Sequence, residues 1–152
     1  MNETTPRIER LKHVARYVPV WIPSILILAA VLWLTLAPHP VGDMDVPLFE
    51  GADKVVHAAM FMVLTFAVLF DLMRSRGWQQ VSLPVISVVV FAAGILGILT
   101  ECLQDVIGTG RSMEILDMGA DFIGAVFGGV IWIIYQSLHL FAESEKDRES
   151  EQ

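Results

Sequence analysis

Long apolar runs, nearly free of charge, constrain this chain more than any other feature. Four of them fit into 152 residues, at about 20–37, 54–73, 83–107 and 114–138. A run of about 18 or more apolar residues can cross a hydrocarbon core roughly 30 Å thick. In lipid only a helix satisfies its own backbone groups within one segment. The expected fold is therefore all-α: an integral membrane bundle of four transmembrane helices, forming one domain over residues 18–140. A basic arm, residues 1–17, precedes it. The charge-alternating segment 141–152 follows and is read as a frayed, solvated tail. Pro38 directly after Ala37 disfavours signal cleavage, so the first run is read as a retained anchor. Cys102 is the single cysteine, which excludes an internal disulfide, and it reads as a small core residue.

Flanking charge predicts the orientation. Arg7, Arg10, Lys12, Arg16, Arg74, Arg76, Lys146 and Arg148 flank one side, eight of the ten Lys and Arg; Lys54 and Arg111 flank the other. The basic side is expected to be cytoplasmic, with both termini inside, in the cytoplasmic (inner) membrane of a bacterium. Tyr17, Trp21, Trp78, Trp132 and Tyr135 are expected near the inner interface and Trp33 near the outer one. The outer side collects Asp43, Asp45, Glu50, Asp53, Glu101, Asp105, Glu114, Asp117 and Asp121. Nine acids against two bases give −7, the whole formal charge of the chain.

Solvation explains acids in loops but not acids inside helices. Residues three or four apart share a helix face. Gly94, Gly97, Glu101, Gln104 and Gly108 form one such face on the third run. Asp117, Asp121, Gly124 and Gly128 form one on the fourth, and Asp53, His57 and Met60 or Phe61 one on the second. Gly94, Gly97, Gly124 and Gly128 are expected to let helices approach closely. At 1.5 Å rise per residue, Glu101 and Asp121 lie roughly 10 Å below the outer helix ends. A carboxylate there must be paired, hydrated or protonated. Arg111 and Lys54 are the available cations, with a bidentate Arg111 pair the natural one. Acids outnumber them, so either a proton is retained, on Glu101 or Asp121, or the site receives a cation. Asp53, one turn before His57, suits orientation of its ring and equally suits capping of the second helix. Gln104 equally suits a plain hydrogen bond between helices.

Read together, Thr35-Leu36-Ala37-Pro38, Asp53-Lys54-x-x-His57-x-x-x-Phe61-x-x-Leu64, Glu101-x-x-Gln104, Gly110-Arg111-Ser112 and Asp117-x-x-x-Asp121-x-x-Gly124-Ala125-x-x-Gly128 resemble the VanZ-like family. The resemblance covers about residues 30–130. It departs at Asp121, where the family usually carries Asn. The family's namesake is linked to resistance to glycopeptides, chiefly teicoplanin, so the resemblance implies contact with a glycopeptide or a lipid-linked cell-wall precursor.

The expected function is a binding or accessory role at the cell envelope, with the outward polar pocket formed by Asp53, His57, Glu101, Gln104, Arg111, Asp117 and Asp121. An alternative is an intramembrane enzyme acting on a lipid-linked substrate with His57 and Glu101 as the acid–base pair. A third is a structural partner subunit. No resident metal or cofactor is expected, since no HExxH or close His pair occurs. A metal version of the enzyme would use His57, Glu101 and Asp117. Membrane lipids are expected partners; nucleic acid is not.

Overall fold

The computed structural model describes residues 18–37, 51–107 and 113–150, and these form four helices. They are α1 (Ile22–Leu36), α2 (Ala52–Ser75), α3 (Leu83–Ile107) and α4 (Ile115–Ser150). Three of them, over Ala52–Ser75, Leu83–Ile107 and Ile115–Ala142, are long and apolar enough to cross a membrane. Apolar α1 is shorter, at 15 residues.

Local chemistry sets the helix ends. Gly51, in the left-handed region at φ 83°, caps α2, with Asp53 in the first turn. The expectation that Asp53 itself is the cap is corrected: the chain turns into the helix two residues earlier, where only glycine takes that backbone freely. Gly77 at φ 67° and Trp78 at φ 69° end α2. There the Trp78 N–H returns to the Met73 carbonyl at 2.9 Å, a left-handed helix stop. The Ser82 carbonyl accepts the first bond of α3, and the Glu114 carbonyl accepts from Asp117 and Met118 to start α4.

The expected frayed tail is also corrected, because α4 continues without a break to Ser150. Residues 142–150 read AESEKDRES. Ala, Glu, Lys and Arg are strong helix formers and extend a helix that is already nucleated.

Glycine brings α2 and α4 into backbone contact. A Cβ on Gly124 would fall inside the Ala58 backbone, and one on Gly128 would lie 2.5 Å from the Met62 carbonyl oxygen. On α3, a Cβ on Gly94 would lie 2.5 Å from the Phe122 ring, and one on Gly97 2.7 Å from the Asp121 Cβ. Two apolar layers fill the bundle. Val31, Phe61, Leu64, Ala93 and Ala125 form one. Leu69, Met73, Val81, Ile86 and Trp132 form the other.

Trp132 belongs to the second layer, beside Met73 and Val81. It is fully buried, edge-on to Phe66 with centroids 5.5 Å apart. Cys102 departs from the expected core position: it is exposed, on the outer face of α3.

Polarity is inverted relative to a water-soluble domain. Asp71, Glu101, Asp121, Thr35 and Thr65 are fully buried, while Val88, Phe91, Ile95 and Leu99 on α3 are exposed. Lipid tolerates that apolar exterior, and polar side chains gather inside.

Candidate functional site

The buried polar groups form two clusters, one near each end of α2. The first begins at His57, on the α2 face that Gly124 and Gly128 bring against α4. There Asp121 Oδ1 sits 3.0 Å from His57 Nδ1. Glu101 enters from α3, with its Oε1 at 3.9 Å from the same nitrogen. Its other oxygen, Oε2, accepts the Glu114 backbone N–H at 3.2 Å. Glu101 therefore also caps the amino end of α4, where unpaired N–H groups and the helix dipole favour a carboxylate.

All three side chains are almost wholly enclosed, His57 at 3% exposure and both acids at 0%. Glu101 Oε1 and Asp121 Oδ2 are buried and meet no hydrogen-bond donor among the described residues. Gly97 makes room for this arrangement, since its Cβ would stand 2.8 Å from Asp121 Oδ2.

One turn toward the helix ends lies a shell of opposite character. Lys54 Nζ reaches Asp53 Oδ2 at 2.8 Å, Glu114 Oε2 at 3.0 Å and Asp117 Oδ1 at 3.2 Å. An ammonium carries three donors and suits three carboxylates. Asp117 is buried, whereas Asp53 and Glu114 are exposed.

The expected residues are thus partly brought together. His57, Glu101 and Asp121 meet directly, and Asp117 and Asp53 join through Lys54. The pairing of Asp53 with His57 is corrected: Asp53 turns outward to Lys54, and Asp121 from α4 bonds the ring instead. Gln104 is buried, and its Nε2 donates to the Thr35 carbonyl oxygen at 2.6 Å. It ties α3 to the last turn of α1. Arg111 lies outside the described residues, as do Gly108, Gly110, Ser112, Asp43, Asp45, Glu50 and the basic arm.

Sequence reasoning missed the second cluster. Asp71, fully buried on α2, accepts from Ser24 Oγ at 2.6 Å and the Ser24 backbone N–H at 3.1 Å through Oδ2. Its Oδ1 accepts from Arg74 at 3.0 Å. A second Arg74 nitrogen donates to the Val18 carbonyl oxygen. The signal that could have found this cluster is an acid three residues before an arginine at the end of an apolar run. His139 was also passed over; it is 2% exposed and stacks on Trp78 at 3° between planes.

A groove of about 240 Å³ between α1, α2 and α3 is lined by Leu28, Leu64, Val68, Val89, Ala92 and Leu96, with Thr65 as its one polar wall. Leu96 lies five residues before Glu101, roughly 7.5 Å along α3. The groove lies on the α1 side of α3, and its lining includes none of His57, Glu101 and Asp121.

The cluster can bind a cation between its oxygens, hold a proton on a short path between Asp121, His57 and Glu101, or accept donors from a ligand. Comparison with known proteins adds no precedent for any of these: no protein-family model, no curated protein and no solved structure matches the chain.

Proposed function

We propose that the chain is a four-span, VanZ-like protein of the bacterial cytoplasmic membrane, with both termini inside, whose outward-facing polar pocket binds a lipid-linked envelope molecule. The carrying observation is the pair of buried oxygens beside His57, Glu101 Oε1 and Asp121 Oδ2, that meet no donor among the described residues. An unsatisfied buried acceptor costs about 1–3 kcal/mol, a cost that a ligand donor or cation would offset. The apolar groove supports a lipid-linked ligand, because an acyl or prenyl chain could lie along Leu64, Val68 and Leu96. The flanking-charge asymmetry supports an outward site, and the resemblance supports a cell-wall precursor or glycopeptide as the ligand class.

Purified protein in nanodiscs, titrated with a lipid-linked cell-wall precursor, tests the reading. Binding is expected in the wild type and loss of roughly tenfold or more in Glu101→Ala and Asp117→Ala, about 1.4 kcal/mol per decade. Equal binding by correctly inserted variants would sink it. A periplasmically active reporter fused after Gln152 would overturn the orientation.

One observation favours an enzymatic second reading. His57 is held by Asp121 at 3.0 Å, the arrangement by which a carboxylate orients a histidine base. Product release from the precursor, abolished in His57→Gln with binding retained, would favour catalysis over binding.

A further inference from the structure

The acids of this end fall into two groups that differ in what neutralises them. Asp53, Glu114 and Asp117 surround the Lys54 ammonium. Asp121 and Glu101, deeper in the bundle, surround only His57 among the described residues. One ligand atom from each of His57, Glu101 and Asp121 lies within 4.8 Å of the other two.

We infer that His57 Nδ1, Glu101 Oε1 and Asp121 Oδ1 form a binding site for a divalent transition-metal ion such as Zn²⁺ or Mn²⁺. Three observations carry this beyond an acidic cluster. First, Glu101 is fully buried and its Oε1, at 3.9 Å from the imidazole nitrogen, meets no donor among the described residues. Second, the donor set is mixed: one imidazole with two carboxylates suits such an ion, whereas Mg²⁺ and Ca²⁺ prefer oxygen alone. Third, the spacing is close to what coordination needs. Metal bonds of about 2.0–2.1 Å in a tetrahedron place donors roughly 3.3 Å apart. The His57–Asp121 distance is 3.0 Å, the His57–Glu101 distance 3.9 Å, and all three ligand atoms lie within 4.8 Å of one another, so an inward turn of Glu101 would close the site.

Charge points the same way. Two carboxylates and a neutral imidazole carry −2, which a divalent ion cancels in surroundings where net charge is costly. Glu101 Oε2 is meanwhile held by the Glu114 N–H, an outer contact of the kind that orients metal ligands. Three protein ligands leave further positions for a ligand oxygen, so the inference deepens the proposed function by naming what would meet a phosphate-bearing head group.

The test uses full-length protein stripped with chelator, reconstituted in nanodiscs and titrated with Zn²⁺ and Mn²⁺ separately, with bound metal measured by mass spectrometry. Cys102→Ser, which removes the exposed thiol, is expected to keep one equivalent of at least one ion. His57→Gln, Glu101→Gln and Asp121→Asn are each expected to weaken its binding by roughly tenfold or more. Failure of the wild type to take up one equivalent of either ion would overturn the inference, even if a variant fails to insert. So would undiminished binding in inserted His57→Gln and Glu101→Gln. A protein that binds no metal yet loses precursor binding in Glu101→Ala overturns the metal site and leaves the ligand pocket standing. One that binds metal but no precursor does the reverse.

Discussion

Helix α2 carries buried polar residues at both ends, and the two ends differ in how completely their acids are satisfied. At the Asp71 end both carboxylate oxygens are engaged, by Ser24 on one side and Arg74 on the other. At the His57 end two oxygens of equally buried acids, Glu101 Oε1 and Asp121 Oδ2, have no donor among the described residues. Burial alone would rate these sites alike. What separates a structural acid from a functional one is the completeness of its hydrogen bonds: the Asp71 cluster closes on itself, and the His57 cluster leaves capacity for something else.

That contrast can be broken by stability measurements. Arg74→Ala should cost most, roughly 3 kcal/mol or more, because it leaves a fully enclosed Asp71 with only its Ser24 donors; thermal unfolding in detergent would read it. Gln104→Ala should cost about 1 kcal/mol, the usual scale for one bond between membrane helices, and the same assay should detect separation of α1 from α3. Glu101→Gln should fall within about 1 kcal/mol of the wild type, on the stabilising side, since it removes a poorly compensated buried charge and keeps an oxygen for the Glu114 N–H. If Glu101→Gln instead destabilised as much as Arg74→Ala, the two ends would be equivalent and the distinction would collapse.

Much of this was legible from helical periodicity. The polar faces of α2, α3 and α4 and the glycines along them follow from spacings of three and four. The third span matches α3 at both ends. What spacing could not supply was rotation between helices. Asp53 and His57 share a face by arithmetic, yet His57 turns to α4 and Asp53 to Lys54, because Gly124 against Ala58 decides which part of α2 is enclosed. Trp132 shows the same limit: spacing does not reveal that it lies on the enclosed side of α4. Asp71 lies at the other end of α2 from the polar stripes, where spacing alone does not show that Ser24 of α1 meets it.

The lengths of the helices bear on the shape of the surrounding bilayer. The apolar part of α4 has 28 residues, while α1 has 15. At 1.5 Å per residue these rise about 42 Å and 22 Å, against a hydrocarbon core of roughly 30 Å. A bundle with one long and one short wall cannot match a flat slab all round. If α1 also crosses, the long helix would tilt and the leaflet beside the short one would be drawn thin. Because Gln104 fastens the last turn of α1 to α3 close to Glu101, a thinned leaflet there would bring lipid head groups down toward the acids. Hydrophobic mismatch would then present polar lipid moieties to a site that otherwise lies below the membrane surface.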